Sequence, residues 1–303
     1  MQILSDLFQG KCWLNGKILD ADSANISIFN HSLHYSGAIF EGIRTYNYVP
    51  FKLQEHMERF QQSASMMGYT LSYSVLELNS AVLHIIKEND LQSGYIRPVA
   101  WRGPETQTIY SKKCSIQTAI LGWKAFDDAK EYTKNSHELS IEISTWRKIS
   151  KDMVPIQAKA SGLYMMNTIA KNDAVSRGFD DAIMLDIDDF ITEATTSNFF
   201  YVKDDVLYTP IADSFLDGIT RRTVLELAKN CKIQSKEVRC SMSDVESADA
   251  AFLTGTAMGI TPIREIYYYK NKKLTKLNIN NKVMLELIAQ YHLLTTGQLC
   301  NDN

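Results

Sequence analysis

Two mixed α+β domains are the fold class this sequence predicts, and three observations predict it. The chain has 303 residues, long for one core and suited to two domains of about 100–200 residues each. Segments of two-residue and of 3.6-residue apolar period alternate along both halves. Between the halves, residues 127–137 (D-D-A-K-E-Y-T-K-N-S-H) are polar and aperiodic. Domains over 1–126 and 138–303, joined by a linker over 127–137, are therefore expected.

Composition narrows the class further. With 45% hydrophobic and 22% charged residues the chain reads as an ordinary soluble globular protein. A net charge of −3 leaves no basic footprint for nucleic acid. Five scattered cysteines, Cys12, Cys114, Cys231, Cys240 and Cys300, show no C-x-x-C spacing, which argues against a disulfide framework and against a zinc site. The first residues lack a charged-then-apolar signal pattern, and no apolar run approaches the roughly 20 residues of a membrane span. A cytoplasmic location is expected.

The elements follow in order. Residues 12–19 read as a hairpin turning at Asn15-Gly16. Residues 27–46 are rich in aromatics, histidine and glycine, with 38–46 predicted as one strand and His31 and His34 as hydrogen-bonded structural histidines in a tight aromatic turn. A helix over 51–67 closes at Gly68, and Ser74-x-x-Glu77 caps a second. Residues 94–101 and 115–123 are strands; on the first, Tyr95 and Arg97 share a face. In the second half, strands are predicted over 138–145, 182–186, 190–202, 206–210, 234–240 and 250–253. Helices are predicted over 163–177, 218–230 and 280–296, with a short one capped by Ser243-x-x-Glu246. Residues 254–259 read as a loop.

Several residues could carry chemistry. Lys159 sits in Q-A-K-A-S-G, a run of small residues before a helix, where a costly-to-bury ammonium favours the neutral, nucleophilic amine. Glu193 lies among strand-forming apolar residues and needs a charged or hydrogen-bonding partner; a protonated pyridine nitrogen would be one. Leu216-Asp217-Gly218-Ile219-Thr220 is a glycine turn opening a helix, whose N–H groups suit a phosphate, although neither G-K-[ST] nor G-x-G-x-x-G is present. Arg59, with Met57 and Phe60 beside it, could fork onto a phosphate. Tyr95 and Arg97 together suit a carboxylate. Taken singly, each has a commoner structural explanation: a surface lysine, an outward glutamate, a simple turn, an arginine pairing with Glu55 or Glu58. No metal pattern and no Ser/His/Asp set emerges.

Jointly they match a family. Seven stretches carry the match: 31–46 with Phe40-Glu41-Gly42-Ile43-Arg44, 55–60, Tyr95-Ile96-Arg97-Pro98, Ala158-Lys159-Ala160, 193–198, Gly218-Ile219-Thr220-Arg221 and Thr254-Gly255-Thr256-Ala257. In order and spacing the chain resembles the class IV aminotransferases, pyridoxal phosphate enzymes of fold type IV, and most closely the branched-chain amino acid aminotransferases. That resemblance implies a smaller N-terminal α/β domain and a larger C-terminal domain with a barrel-like sheet. It implies pyridoxal 5′-phosphate as cofactor, amino acid and 2-oxo acid substrates, and a homodimer or assembly of dimers, the site lying at a domain cleft bordered by the partner subunit. Lys159 would form the Schiff base and shuttle the proton at the substrate α-carbon. Glu193 would keep the pyridine nitrogen protonated, and Tyr164 would bond the ring hydroxyl oxygen. Arg59, Ile219, Thr220 and Thr256 would bind the phosphate, with Thr196, Leu216 and Gly218 at the cofactor. Thr256 and Ala257 N–H groups, helped by Tyr95, would take the substrate carboxylate. Tyr35, Phe40, Gly42, Trp123 and Phe126 would wall a branched-chain pocket, and Arg97 would meet the distal carboxylate of glutamate.

Four departures bear on the substrate pocket: Thr196 where the family usually has glycine, Asp217 in place of a frequent proline, Phe126 in place of a tyrosine, and residues 103–113 without the usual glycines. Two relatives of the same fold stand as alternatives, a D-amino acid aminotransferase and an aminodeoxychorismate lyase. Tyr95-x-Arg97 argues against the first and the aromatic box against the second. A non-catalytic scaffold would be expected to have lost Lys159.

Overall fold

The computed structural model describes residues 10–124 and 138–298; the expected linker and Phe126 fall outside them. Two compact units result. The first takes residues up to 124 together with Ala158–Gly162, and the second takes the rest. The segment bearing Lys159 thus belongs with the first unit, not with the expected 138–303 domain. Hydrogen bonds explain this: Phe40 N donates to Lys159 O and Ser161 N to Ala38 O, at 3.0 and 2.9 Å, while Ile39 and Ala160 form an isolated antiparallel bridge.

The first unit is built on one antiparallel sheet. Lys11–Leu14 (β1) and Lys17–Asp20 (β2) form the expected hairpin. Asn15 and Gly16 supply its left-handed turn, at φ 49° and 88°. The other strands are Ile39–Phe40 (β3), Ile43–Tyr46 (β4), Val49–Pro50 (β5), Ser93–Arg102 (β6) and Ile116–Lys124 (β7), ordered β2-β1-β7-β6-β4-β5 with β3 also on β6. The single strand predicted over 38–46 is thus two. Pro98 is the reason. It pairs with Ile120 on one side; toward the other its carbonyl accepts from Glu41 N at 2.9 Å, but it has no N–H to return. The ladder breaks there, and Glu41 and Gly42 stand outside it.

Helices cover this sheet. The predicted turn at His31 and His34 is a five-residue helix, His31–Tyr35 (α1). Leu53–Met66 (α2) ends before Gly68, at φ 76°. Val75–Glu88 (α3) starts in the capping box of Ser74 and Glu77. Met57, Phe60, Leu78, Val82 and Ile85 are fully buried, as are Ile43, Ile96 and Ile120 of the sheet. Each such side chain contributes about 1.5–3 kcal/mol by leaving water.

The second unit holds nine strands: Leu139–Arg147 (β8), Asp181–Leu185 (β9), Ile191–Ala194 (β10), Asn198–Lys203 (β11), Val206–Pro210 (β12), Ser235–Val238 (β13), Ala250–Gly255 (β14), Gly259–Tyr268 (β15) and Lys273–Lys276 (β16). Their order is β10-β9-β8-β15-β14-β11-β12-β13, with β16 on β15. A further β10–β11 pairing closes six of them into a barrel, filled by Ile141, Ile183, Leu185, Phe199, Tyr201, Leu253 and Ile263. Tyr164–Ser176 (α4) packs on β8 and β9, and Ile219–Asn230 (α5) on β14 and on Lys282–Thr295 (α7). Met242–Glu246 (α6) is capped by Ser241 with Asp244, not by the predicted Ser243 and Glu246. Among the described residues, no helix is long and apolar enough to cross a membrane.

The predicted strand over 190–202 is a hairpin, β10 and β11, with Glu193 directly opposite Asn198. β10 also carries a bulge. Ile191 pairs with Leu185 but Ala194 with Ile183, three residues against two. The extra residue lets both Ile191 and Ala194 join the barrel core and takes Glu193 out of the ordinary in-and-out alternation.

Candidate active site

In the first unit the lysine segment is fixed by its backbone. Lys159 N donates to Ser63 Oγ at 3.0 Å, from α2. The half-buried side chain reaches over Phe40, with Nζ 5.0 Å from the ring centroid. The same ring carries the Arg97 guanidinium at 4.9 Å. Tyr95 and Trp123 complete the box, their rings 5.2 Å apart, and Arg97 Nη2 reaches the Tyr95 hydroxyl at 3.5 Å. Arg97 Nε is buried without a hydrogen-bond partner among the described residues. Gly42 borders this box because nothing larger fits: a Cβ there would lie 1.9 Å from the Tyr95 hydroxyl.

Beneath the box lies a buried charge cluster. Glu41, fully buried, accepts from Arg59 Nε at 2.6 Å, Arg59 Nη2 at 2.9 Å and His56 Nδ1 at 2.8 Å. Arg59 therefore pairs with Glu41 of the Phe40-Glu41-Gly42 motif. Burial alone would raise the Glu41 carboxyl, yet Arg59 and His56 hold it well below the usual carboxylate range. Burial pushes His56 below the ordinary histidine value; Glu41 opposes this, while the Arg59 and Lys159 cations add to it.

In the second unit Glu193 is 7% exposed and already has partners. Lys148 Nζ lies 2.6 Å from its Oε1, and Asn198 Nδ2 donates to its Oε2 at 3.0 Å. Asn198 Nδ2 also bonds Leu216 O at 3.0 Å, tying the glutamate to the Leu216–Gly218 turn. Gly218 needs to be glycine, since a Cβ would meet Asn198 Oδ1 at 2.1 Å. It is the N-cap of α5 and brings no side-chain cap, so the first turn, with buried Ile219 and Thr220, can offer its N–H groups to an anion.

The Thr254–Ala257 segment adjoins this group. Thr254 pairs with Asn198 across β14 and β11, and its Oγ1 is buried without a partner. A Cβ on Gly255 would lie 3.0 Å from Ser197 Oγ. Thr256 is half-buried, Ala257 and Thr196 are exposed, and Tyr164 is half-buried at the start of α4.

Tyr35, expected to wall the pocket, ends α1. It is 41% exposed, stacks on His31 at 4.6 Å and donates its hydroxyl to Gln107 O at 3.0 Å. Glu41, His56, Lys148 and Asn198 are the supporting residues that sequence patterns did not single out. Glu41, His56 and Asn198 lay inside the matched stretches 31–46, 55–60 and 193–198 without a role of their own; Lys148 lay outside all seven.

The comparisons agree on one family. A family model described as amino-transferase class IV matches residues 38–266. A probable branched-chain-amino-acid aminotransferase of Rickettsia bellii is 41% identical over 84% of this chain and 86% of its own. The crystal structure of the branched-chain aminotransferase of Thermoproteus uzoniensis with norvaline has a TM-score of 0.88 at 31% identity, covering 95% of both chains. The branched-chain amino acid aminotransferase of Thermobaculum terrenum, solved in its PLP-bound holo form, reaches 0.87 at 25% identity, over 97% of this chain and 96% of that one.

Proposed function

The chain belongs to the class IV aminotransferases, and on that premise we propose that it moves the amino group of L-leucine, L-isoleucine or L-valine to 2-oxoglutarate, giving branched-chain 2-oxo acids and L-glutamate. Enzymes of this class depend on pyridoxal phosphate, which supplies the electron sink that makes the substrate α-proton removable. One observation carries the substrate reading. The Lys159 amine and the Arg97 guanidinium lie over the same Phe40 ring, at 5.0 and 4.9 Å. An aliphatic side chain packs on the aromatic walls of Phe40, Tyr95 and Trp123, and the distal carboxylate of glutamate pairs with Arg97. One pocket thus serves both substrates in turn.

The remaining roles follow. Lys159 would hold the cofactor carbonyl and would carry the proton at the substrate α-carbon. Glu193 would meet the ring nitrogen, and Tyr164 the ring hydroxyl oxygen. Arg59, Thr256 and the first turn of α5 at Ile219 and Thr220 would hold the phosphate, and Thr196, Leu216 and Gly218 would also contact the cofactor. The Thr256 and Ala257 N–H groups and Tyr95 take the substrate α-carboxylate. The uncapped start of α5 and the unpartnered Thr254 Oγ1 support this fit.

The test is leucine with 2-oxoglutarate, following glutamate. Turnover with the L- but not the D-enantiomer is expected; its absence would refute the proposal. Arg97→Leu removes the cation that the glutamate side chain meets and leaves the apolar walls. Losing one partner of a buried charge pair costs about 2–5 kcal/mol. The second half-reaction, with 2-oxoglutarate, should therefore slow on the order of 10²-fold while the leucine half-reaction changes little. Equal losses in both halves in single-turnover experiments would remove Arg97 from this role.

A homodimer in the cytoplasm belongs to the same proposal. Ile28, Phe29, Leu33, Ile109 and Tyr110, each at least 59% exposed, stand on segments joined by the Gln107–Phe29 and Tyr35–Gln107 hydrogen bonds. Clustered apolar exposure of this kind favours a protein partner. Sedimentation should give twice the chain mass, and Ile109→Glu with Leu33→Glu should give the monomer.

A further inference from the structure

Glu193 is bound on one side by a lysine that none of its proposed duties requires. Lys148 follows β8, and its N–H donates to Leu185 O at 2.9 Å. Its ammonium lies 2.6 Å from Glu193 Oε1, with the two side chains only 8% and 9% exposed. Asn167 of α4 accepts a second bond from the ammonium at 3.3 Å and donates to Thr195 O at 2.6 Å, in the turn next to Glu193. Lys148 is thus held by a strand end, a helix and the β10–β11 turn at once.

A buried ion pair of this kind is poor evidence of stabilisation, because desolvating both charges offsets their attraction. Its effect on proton position is larger. A cation in contact with a carboxylate lowers its proton affinity by about one to three pH units. Between a carboxylate and a pyridine nitrogen the shared proton rests on whichever group has the greater affinity. Weakening the carboxylate's affinity leaves the proton on the nitrogen, the form in which the ring draws electrons from the substrate.

We propose that Lys148 is a positioning residue that keeps Glu193 ionised and aimed, so that the cofactor ring nitrogen retains its proton. The inference rests on the transaminase reading above and goes one residue beyond it. Without the ammonium, Glu193 is a buried carboxylate that has lost its neighbouring cation while keeping the neutral Asn198 amide donor, and the proton moves toward its oxygen.

The experiment uses full-length protein loaded with pyridoxal phosphate labelled with 15N in the ring. Wild type and Lys148→Arg should show the shift of a protonated nitrogen, and Lys148→Met should show it displaced most of the way to the unprotonated value. kcat should fall while the leucine KM stays close to wild type. Should Lys148→Met not fold, Lys148→Gln removes the same charge and carries the same readouts. A protonated nitrogen in both charge-removing variants overturns the role of Lys148 and leaves the transaminase reading intact. No cofactor signal in wild type overturns that reading, and the inference with it.

Discussion

Lys159→Ala should lower leucine turnover by about 10²- to 10⁴-fold, the range spanned by a positioned proton-transfer group, and leave the fold in place. The two expectations separate because the segment is anchored by backbone atoms. Lys159 N donates to Ser63 Oγ and Lys159 O accepts from Phe40 N, and neither contact involves the ammonium. The side chain itself gives up its placement over Phe40, worth about 0.5–1 kcal/mol. In cofactor-free protein, loss of that cation also removes one of the influences depressing His56, so the His56 imidazole should titrate somewhat higher in the variant. Retained secondary structure, lost turnover and a raised His56 titration by NMR form the expected set. Undiminished turnover would remove Lys159 from the chemistry.

Much of the fold was legible because local rules sufficed. Asn15-Gly16 dictates its hairpin, Ser74 and Glu77 their capping box, and Val206–Pro210 a strand with the predicted bounds. What failed was non-local. Residues 190–202 have continuous strand composition, and their turn at 195–197 contains neither glycine nor proline. It is the β10–β11 pairing, with Glu193 opposite Asn198, that sets it. Ser241 and Ser243 both precede an acid by three residues. The chain favours Ser241 because Cys240 is already bound to Ile191 by the preceding bridge, leaving the helix to start at once. Pro98, read as part of a strand, proved to be what divides its neighbour.

The candidate site shows the same limit. Lys159, Glu193 and Arg97 were found by pattern, yet their physical settings were not. A glutamate among apolar residues needs a partner, and sequence offered no way to select Lys148, 45 positions earlier, over any other cation. The same holds for Arg59, whose partner Glu41 lies on another element. Candidate residues were thus easier to pick out than the charges around them, because those depend on which distant side chains share one desolvated space.

The Glu41 cluster gives the second large effect, on stability. Glu41→Gln removes the carboxylate that Arg59 and His56 both bond, and breaking a buried charge pair of this kind costs about 3–5 kcal/mol. The pH dependence follows from two depressed titrations. Glu41 binds its proton far more weakly folded than unfolded, so its contribution is complete above the unfolded value of about 4.3 and is lost as pH falls toward the lower folded value. His56 also resists protonation in the fold. Below its unfolded value of about 6.5 the unfolded chain takes up a proton the folded one refuses, and stability again falls with acid. Wild type should therefore be flat near pH 7–8, decline below about 6.5 and decline more steeply below about 4.3. His56→Gln should remove the first decline and keep the second; Glu41→Gln should start lower at pH 7 and flatten the second. Urea unfolding across pH measures both. A Glu41→Gln protein within about 1 kcal/mol of wild type at pH 7 would mean that the desolvation of the cluster cancels its attractions, and that Glu41 orients Arg59 without stabilising the unit.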